Sequence, residues 1–189
     1  MADKHSISDP KINEILDLWF SEQVRPLWFN ATTEFDQRLR DRFLLVYHAA
    51  AAGDLDNWRQ IPKGALALII LLDQIPLNIF RHQPESFSTE AISREIAEHM
   101  IDSGFDMQLT DAQKAFVYMP FMHSEDLHDQ DRSVALYEKA GLNYNLKFAL
   151  HHREIVRRFG RFPHRNALLG RQSTPQELDY LQSDSAFNG

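Results

Sequence analysis

The sequence predicts an all-α protein of about eight or nine helices, arranged as antiparallel helical hairpins. Apolar residues recur at intervals of three and four along most of the chain, which is the spacing of one helix face. Helix starts carry capping residues or a first-turn proline, as in Asp9-Pro10 and Thr174-Pro175. No segment alternates between apolar and polar residues over the length of a strand, so no sheet is expected.

The first two helices are predicted from their caps and apolar stripes. Asp9 and Pro10 start the first helix, while Thr33 with Asp36 forms an acidic variant of the capping box for the second. Gly53 is expected to end the second helix. The stripes consist of Ile12, Ile15, Leu16, Trp19 and Phe20 in the first helix and Phe35, Leu39, Phe43, Val46 and Ala50 in the second.

The third helix is predicted to be the buried central one. It begins at Pro62, and residues 65–72 are apolar on every face. This is the longest apolar run of the chain, and it is far shorter than the roughly 20 residues that span a bilayer.

The remaining helices are predicted from the same start and stop signals. They run from Thr89 to Ser103 before Gly104, from Thr110 to near Pro120, from a Ser124 cap toward Gly141, from Leu142 to Phe159 before Gly160, from Pro163 to Gly170, and onward from Thr174.

The composition is that of a folded domain, and we expect a single all-helical domain over residues 1–189. The formal net charge of −7 disfavours nucleic acid and anionic membranes as partners. The chain has no cysteine, which excludes disulfides, thiolate metal ligands and cysteine nucleophiles. The N-terminal residues lead into no apolar segment, so we expect no signal peptide and a cytoplasmic location.

The charge is unevenly distributed, because residues 151–171 form a basic segment. It holds six of the 14 arginines and one acidic residue, Glu154, which gives it a formal charge of +5 and leaves −12 for the other residues. Five polar residues after the helix stop are predicted to form a ligand-binding corner. They are Arg161, His164, Arg165, Asn166 and Arg171.

Two interpretations of this corner remain open. Guanidinium groups bind carboxylate or phosphate in a bidentate way, and the N–H groups of a helix that begins near Pro163 would point toward such an anion. Alternatively, the same arginines clamp the C-terminal part of the chain internally to Asp73, Glu125 and Asp126.

Other residues of the basic segment have ordinary structural interpretations. His152 is in phase with Phe148, so we expect a buried histidine with its hydrogen bonds satisfied. Arg157 and Arg158 lie at helical spacing from Glu154 and are expected to pair with it on a solvated face.

A second polar cluster comprises Asp73, Gln74 and Arg81. Asp73 is expected at the C-terminal end of the third helix, where the helix dipole disfavours a carboxylate. A buried acid needs a partner, and a structural ion pair with Arg81 or an arginine of the basic segment is the simpler interpretation. A ligand-binding role is the alternative.

A third cluster precedes the sixth predicted helix. Ser124 as a cap, with Glu125 and Asp126 in the first turn, is ordinary helix N-terminal chemistry. Five of the nine histidines lie between His123 and His164, so a His/carboxylate metal site is an alternative. No His-Glu-x-x-His spacing supports it, and no metal site is predicted.

Several motifs occur in an order that resembles one protein family. They are residues 15–20 (ILDLWF), 28–29 (WF), 65–74 (ALALIILLDQ), 118–121 (YMPF), 123–126 (HSED), 158–166 (RFGRFPHRN), 169–171 (LGR) and 173–175 (STP). This succession resembles the bacterial family known as domain of unknown function 924. The resemblance implies a tetratricopeptide-like all-α fold and no known activity.

The chain departs from that family pattern after the third helix. Leu77 stands where the pattern has an arginine, and Ile75 replaces an aromatic residue. A site that requires a guanidinium at position 77 is therefore not expected here, although Arg81 remains nearby in sequence.

We predict a binding module in which the three clusters form a polar pocket for a small anionic ligand. The predicted ligand-binding residues are Asp73, Gln74, Arg81, His123, Glu125, Asp126, Arg161, His164, Arg165, Asn166 and Arg171. A hydrolase with His123 or His164 as general base is the alternative, and a peptide-binding helical scaffold is the third hypothesis. A protein partner is compatible with the sequence, whereas no cofactor, nucleic acid or membrane partner is predicted.

Overall fold

The computed structural model describes residues 9–187, and within this range it contains eight helices and no strand. The helices are α1 (Pro10–Trp19), α2 (Thr33–Ala51), α3 (Pro62–Ile79), α4 (Glu90–Asp102), α5 (Asp111–Met122), α6 (Leu127–Lys139), α7 (Asn143–Phe159) and α8 (Pro175–Leu181). The all-α prediction and the expected number of about eight helices are confirmed. The predicted helix from Pro163 to Gly170 is wrong, because only a short 3-10 turn, Pro163–Arg165, forms there. The tetratricopeptide-like arrangement stays a prediction.

Several helix ends lie where the sequence places them. The Asp9 side chain accepts the N–H of Lys11 at 2.9 Å. Thr174 and Glu177 form the predicted capping box at α8, with each side chain accepting the other residue's N–H. α7 ends at Gly160, whose φ of 68° is in the left-handed region that glycine adopts without strain.

Two predicted caps are wrong by one or two residues. α2 is capped by Thr32, whose hydroxyl accepts the N–H of Phe35 at 3.2 Å, and not by Thr33. α6 is capped by Asp126, while the hydroxyl of Ser124 accepts the Asp126 N–H at 3.2 Å. Several capping residues follow one another at both places, so local sequence does not decide which of them caps the helix.

α3 is the buried central helix, as predicted. It is long and apolar enough to cross a membrane, but 83% of it is buried inside the protein, which is the situation of a core helix. It packs against α1, α2 and α4. A Cβ at Gly64 would collide with the carbonyl oxygen of Trp58, so only glycine permits this approach to the preceding turn.

α3 continues past Asp73, which corrects the prediction that this residue ends the helix. Residues Ile70–Gln74 form a π-helical turn, and the helix then continues to Ile79. The N–H of Ile75 bonds to the carbonyl of Ile70, five residues earlier. Asp73 therefore lies in the middle of a buried helix.

The π-turn is followed by a proline whose effect is compensated from another helix. Pro76 has no N–H to donate to the carbonyl of Leu72, four residues earlier. The hydroxyl of Thr89 donates to that oxygen at 2.6 Å instead of capping α4. A buried carbonyl thus keeps a donor, and the helix tolerates an interior proline. α5 likewise includes Pro120 and ends at Met122, two residues beyond its predicted end.

Cα distances divide the described chain into two units. The first comprises residues 9–81 and 85–120, and the second comprises residues 82–84 and 121–187. In the second unit, α6 packs along α7. Its apolar cluster contains Ile155, Val156, Phe162 and Tyr180, with Phe159, Leu181 and Phe187 packed against it. The single domain over residues 1–189 stays a prediction.

Candidate functional site

The predicted ligand-binding residues are divided between the two units. Asp73, Gln74 and Arg81 belong to the first unit. The others belong to the second unit: His123, Glu125, Asp126, Arg161, His164, Arg165, Asn166 and Arg171. Their convergence on one pocket stays a prediction.

In the first unit, Asp73 and Gln74 are buried, and Arg81 forms its ion pair with Asp36. The two buried side chains are 2% and 4% exposed, and the Gln74 amide donates to the Asp73 carboxylate at 2.5 Å. Arg81 donates to both carboxylate oxygens of Asp36 at 2.6 and 3.0 Å, and to Asn78 at 3.1 Å. Arg81 is therefore not the partner of Asp73, and the alternative pairing of Asp73 with an arginine of the basic segment stays a prediction.

In the second unit, Glu125 is surrounded by donors from the basic segment. Arg171 donates to its two oxygens at 2.6 and 2.8 Å, and the N–H of Phe162 donates at 2.8 Å. Burial raises the pKa of Glu125, but the hydrogen bonds from Arg171 and Phe162 and the charges of Arg171 and Arg165 outweigh it and lower this pKa below its ordinary value. The anion in the predicted anion-binding corner is thus the protein's own carboxylate.

Asn166 fixes Arg171 in this arrangement. Its side-chain oxygen accepts the Arg171 Nε–H at 3.0 Å, and its amide nitrogen donates to Ser173 at 3.0 Å. Asn166 is 1% exposed. Because the Nε and both Nη groups of Arg171 have partners, this guanidinium is not available to a ligand, and the internal-clamp interpretation is confirmed for Arg171 and Glu125.

Arg161 forms a second bidentate pair, with a partner that was not predicted. It donates to the two oxygens of Glu177 at 2.7 and 2.9 Å and to the carbonyl of Gln172 at 2.9 Å. Hydrogen bonds from Arg161, then from the Thr174 N–H and the Asn166 amide, lower the pKa of Glu177 to about 2 against the opposing effect of burial. Asp126, a predicted clamp residue, is exposed and caps α6 instead.

The histidines of the second unit are poorly suited to base catalysis. His152 is buried, and its Nδ1 lies 2.8 Å from the carbonyl of Phe148, as predicted for a satisfied core histidine. Burial, followed by nearby positive groups, lowers the pKa of His152 to about 3 and that of His164 to about 4. Both imidazoles are neutral at pH 7 and too weakly basic to be efficient general bases there.

Arg165 and His123 also lie in this region. Arg165 is 6% exposed, and its guanidinium carbon lies 4.7 Å from the centre of the Phe162 ring, within cation–π distance. His123 is half-buried, and its charge contributes to the lowered pKa values of His152 and His164. Within residues 9–187, no three His, Asp or Glu side chains are grouped as a metal site.

A cleft of about 380 Å³ lies beside the second ion pair. Its lining residues are Arg158, Phe159, Arg161, Thr174, Gln176 and Glu177. Arg158 is exposed, and its guanidinium carbon lies 4.6 Å from the centre of the Phe159 ring and 5.9 Å from that of Tyr180. Only Arg157 forms the predicted pair with Glu154, at 2.7 Å. No salt bridge neutralises Arg158 within the described part of the chain.

A wider depression of about 800 Å³ lies along α2 in the first unit. It is lined by Thr33, Glu34, Gln37, Arg38, Asp41 and Arg42. Its charges are of both signs, and Arg42 already binds Glu14 at 2.7 Å. This surface therefore has no clear preference for an anion.

Residues 15–185 match the family described as bacterial protein of unknown function (DUF924). The chain belongs to this family, as predicted. A solved structure, that of the protein of unknown function ATU0120 from Agrobacterium tumefaciens, is 38% identical in sequence. The similarity covers 92% of this chain and 97% of that chain, with a TM-score of 0.87. The chain matches none of the curated proteins. Neither similarity assigns an activity.

Proposed function

We propose that this DUF924 protein is a helical binding module for a small molecule with a carboxylate or phosphate group, bound in the cleft between α7 and α8. The observation that carries the proposal is the state of Arg158. It is an exposed cation at a cleft and forms no salt bridge among the described residues, since the nearby Glu154 carboxylate binds Arg157 and acts on Arg158 only through its charge.

The charges of the cleft favour an anion. Arg161 and Glu177 neutralise each other, and the low pKa of Glu177 keeps that pair ionised at neutral pH. Arg158 is then the remaining charge among the lining residues, so the cleft has a formal charge of +1.

The ring contacts of Arg158 prepare it for binding. Its contacts with Phe159 and Tyr180 limit the rotamers of a long side chain, so less conformational entropy is lost when a ligand binds. A guanidinium can bind carboxylate or phosphate through two parallel N–H bonds.

The hydrolase alternative is less well supported. His164, one of its two candidate bases, packs between the rings of Phe162 and Phe187, and its pKa is about 4. No observation in the described chain favours it over binding.

The test is a comparison of neighbouring arginines at fixed ionic strength. Thermal unfolding is measured with inorganic phosphate, citrate and a panel of phosphorylated metabolites, followed by calorimetry on any ligand that stabilises the protein. A ligand at about 100 times its Kd adds roughly 2.7 kcal/mol to the free energy of unfolding. Arg158→Ala is expected to weaken binding by about tenfold or more, the loss of one charge-assisted contact.

Arg157→Ala is the matched control, because Arg157 is adjacent, exposed and paired with Glu154, and it does not line the cleft. It is expected to bind within about twofold of the wild type. Equal losses in the two variants would show attraction by general surface charge, and a panel without any stabilising ligand would refute the proposal.

A further inference from the structure

The last described residues fold back onto two imidazoles, those of the buried His152 and the half-buried His164. The Phe187 ring centre lies 4.4 Å from that of His152 and 5.1 Å from that of His164, with edge-to-face geometry at both. The N–H of Phe187 donates to the Tyr180 hydroxyl at 2.9 Å. Phe187 thereby covers the two imidazoles from the side of the C-terminal segment, residues 183–187.

This segment is attached mainly through one ring. Residues 183–185 are exposed, and Phe187 is the only large apolar residue in the sequence of the segment. The remaining contacts of the segment are local: the Ser183 hydroxyl donates to the Tyr180 carbonyl at 2.7 Å and lies 3.0 Å from the Ser185 hydroxyl. Loss of the ring contact would leave only short-range bonds to hold the segment.

The surroundings of the two imidazoles oppose a positive charge. His123 acts on both imidazoles, His151 and His164 act on His152, and Arg165 and Arg171 act on His164. Glu125 is the acidic group that acts on His164. The Nδ1 of His164 is buried and has no hydrogen-bond partner within residues 9–187. A proton on either ring would therefore be poorly solvated while Phe187 covers the pair.

We propose that the C-terminal segment is a proton-responsive latch: Phe187 packs on His152 and His164 while both are neutral, and protonation of these imidazoles releases the segment and exposes them. The latch is independent of the proposed anion site.

The sign of the pH effect follows from proton linkage. With the latch closed, the pKa of His164 is about 4 and that of His152 about 3. An exposed histidine has a pKa of about 6.5, so the open state binds more protons, and the closed state is lost as the pH falls below that value. At about pH 5.5, each imidazole that becomes exposed shifts the equilibrium toward opening by about tenfold.

The test uses NMR on the full chain between about pH 7.5 and 4.5, the range that contains the exposed histidine pKa. The heteronuclear NOE of the Phe187 amide is expected to fall with decreasing pH, while the heteronuclear NOEs of the α7 amides stay high. Phe187→Ala is expected to raise the pKa of His164 by more than about one unit toward its exposed value.

Two histidine variants sharpen the result. His164→Phe keeps an aromatic ring under Phe187 but cannot be protonated, so the segment should stay ordered to lower pH than in the wild type. His48→Phe, at an exposed position of α2, should behave like the wild type. An amide of Phe187 that stays ordered throughout, or a pKa of His164 that stays near 4 in Phe187→Ala, would overturn the latch. The measurement of the His164 pKa in Phe187→Ala does not depend on whether His164→Phe folds.

Discussion

Two arginine–glutamate pairs of the second unit have nearly the same geometry and different surroundings. Arg157 donates to the two oxygens of Glu154 at 2.7 Å each, and Arg171 donates to those of Glu125 at 2.6 and 2.8 Å. The side chains of the first pair are 64% and 56% exposed, whereas those of the second are 23% and 26% exposed.

The second pair also has partners that the first lacks. Glu125 accepts the Phe162 N–H, and Arg171 donates to Asn166 as well. Water replaces the lost partner when an exposed pair is broken, but it reaches a half-buried network poorly. Their hydrogen-bond distances therefore do not indicate which pair stabilises the protein more. Burial and additional hydrogen-bond partners do. Arg158 has no such partner among the described residues, which is why it is the arginine proposed to bind a ligand.

The largest effect is expected for Glu125→Ala. The substitution leaves the Arg171 guanidinium and the Phe162 N–H without their acceptor, and we expect the free energy of unfolding to fall by about 3 kcal/mol. Denaturant unfolding at pH 7 measures it. Glu125→Gln keeps one acceptor oxygen and should lose less. A loss below about 1 kcal/mol would mean that this pair contributes no more to stability than an exposed ion pair.

The next effect concerns pH and the pair of Arg161 with Glu177. The pKa of Glu177 is about 2 in the folded protein, below its unfolded value of about 4.3, so its stabilisation is complete above that value and is lost as the pH falls toward 2. The pKa of Glu125 is also lowered, so its stabilisation is likewise lost as the pH falls. The buried histidines reduce stability earlier, from about pH 6.5 downward.

Glu177→Gln isolates the carboxylate from the histidines. Below about pH 4.5, the free energy of unfolding of this variant should decline less steeply than that of the wild type, because one proton-binding group is missing. Between about pH 6.5 and 4.5 the two slopes should agree, since the histidines are unchanged. Parallel curves at the acidic end would contradict the lowered pKa of Glu177.

An intermediate effect is expected in the first unit. Arg81 and Asp36 form a bidentate pair whose side chains are 41% and 15% exposed. Solvent screening reduces its contribution, and we expect Arg81→Ala to lower the free energy of unfolding by about 1 kcal/mol. Arg81→Lys keeps the charge without the fork and should lose about half as much. If Arg81→Ala lowered the free energy of unfolding as much as Glu125→Ala, the exposure of a pair would not determine its contribution to stability.

The fold was largely predictable because its signals are local. Asp9, Thr174 and Gly160 act on residues within one turn, and the apolar run of α3 is continuous in sequence. The π-turn was not predictable, because the donor that compensates Pro76 is the hydroxyl of Thr89, 17 residues after the carbonyl it binds.

The site was predictable in its residue types and only partly in its partners. Glu125 was expected as a partner of the basic segment, but the sequence did not indicate which arginine binds it, because Glu125 lies 46 residues from Arg171. Glu177, 16 residues from Arg161, was not expected as a partner at all. The capping box explained Glu177 completely at the sequence level, so nothing pointed to its second role. Arg158 was assigned to a solvated face because its contact with Tyr180 depends on tertiary packing.

The smallest effect is expected for the exposed pair of α7. Arg157→Ala, Glu154→Ala and the double variant should share the denaturant midpoint of the wild type, because water and salt screen this exposed pair and its neighbouring charges, Arg153 and Arg158. A double-mutant cycle at low and high ionic strength measures their coupling directly. A coupling that persists in high salt would mean that helical spacing alone stabilises an exposed pair. Burial would then not explain why the Glu125 pair contributes more to stability than the Glu154 pair.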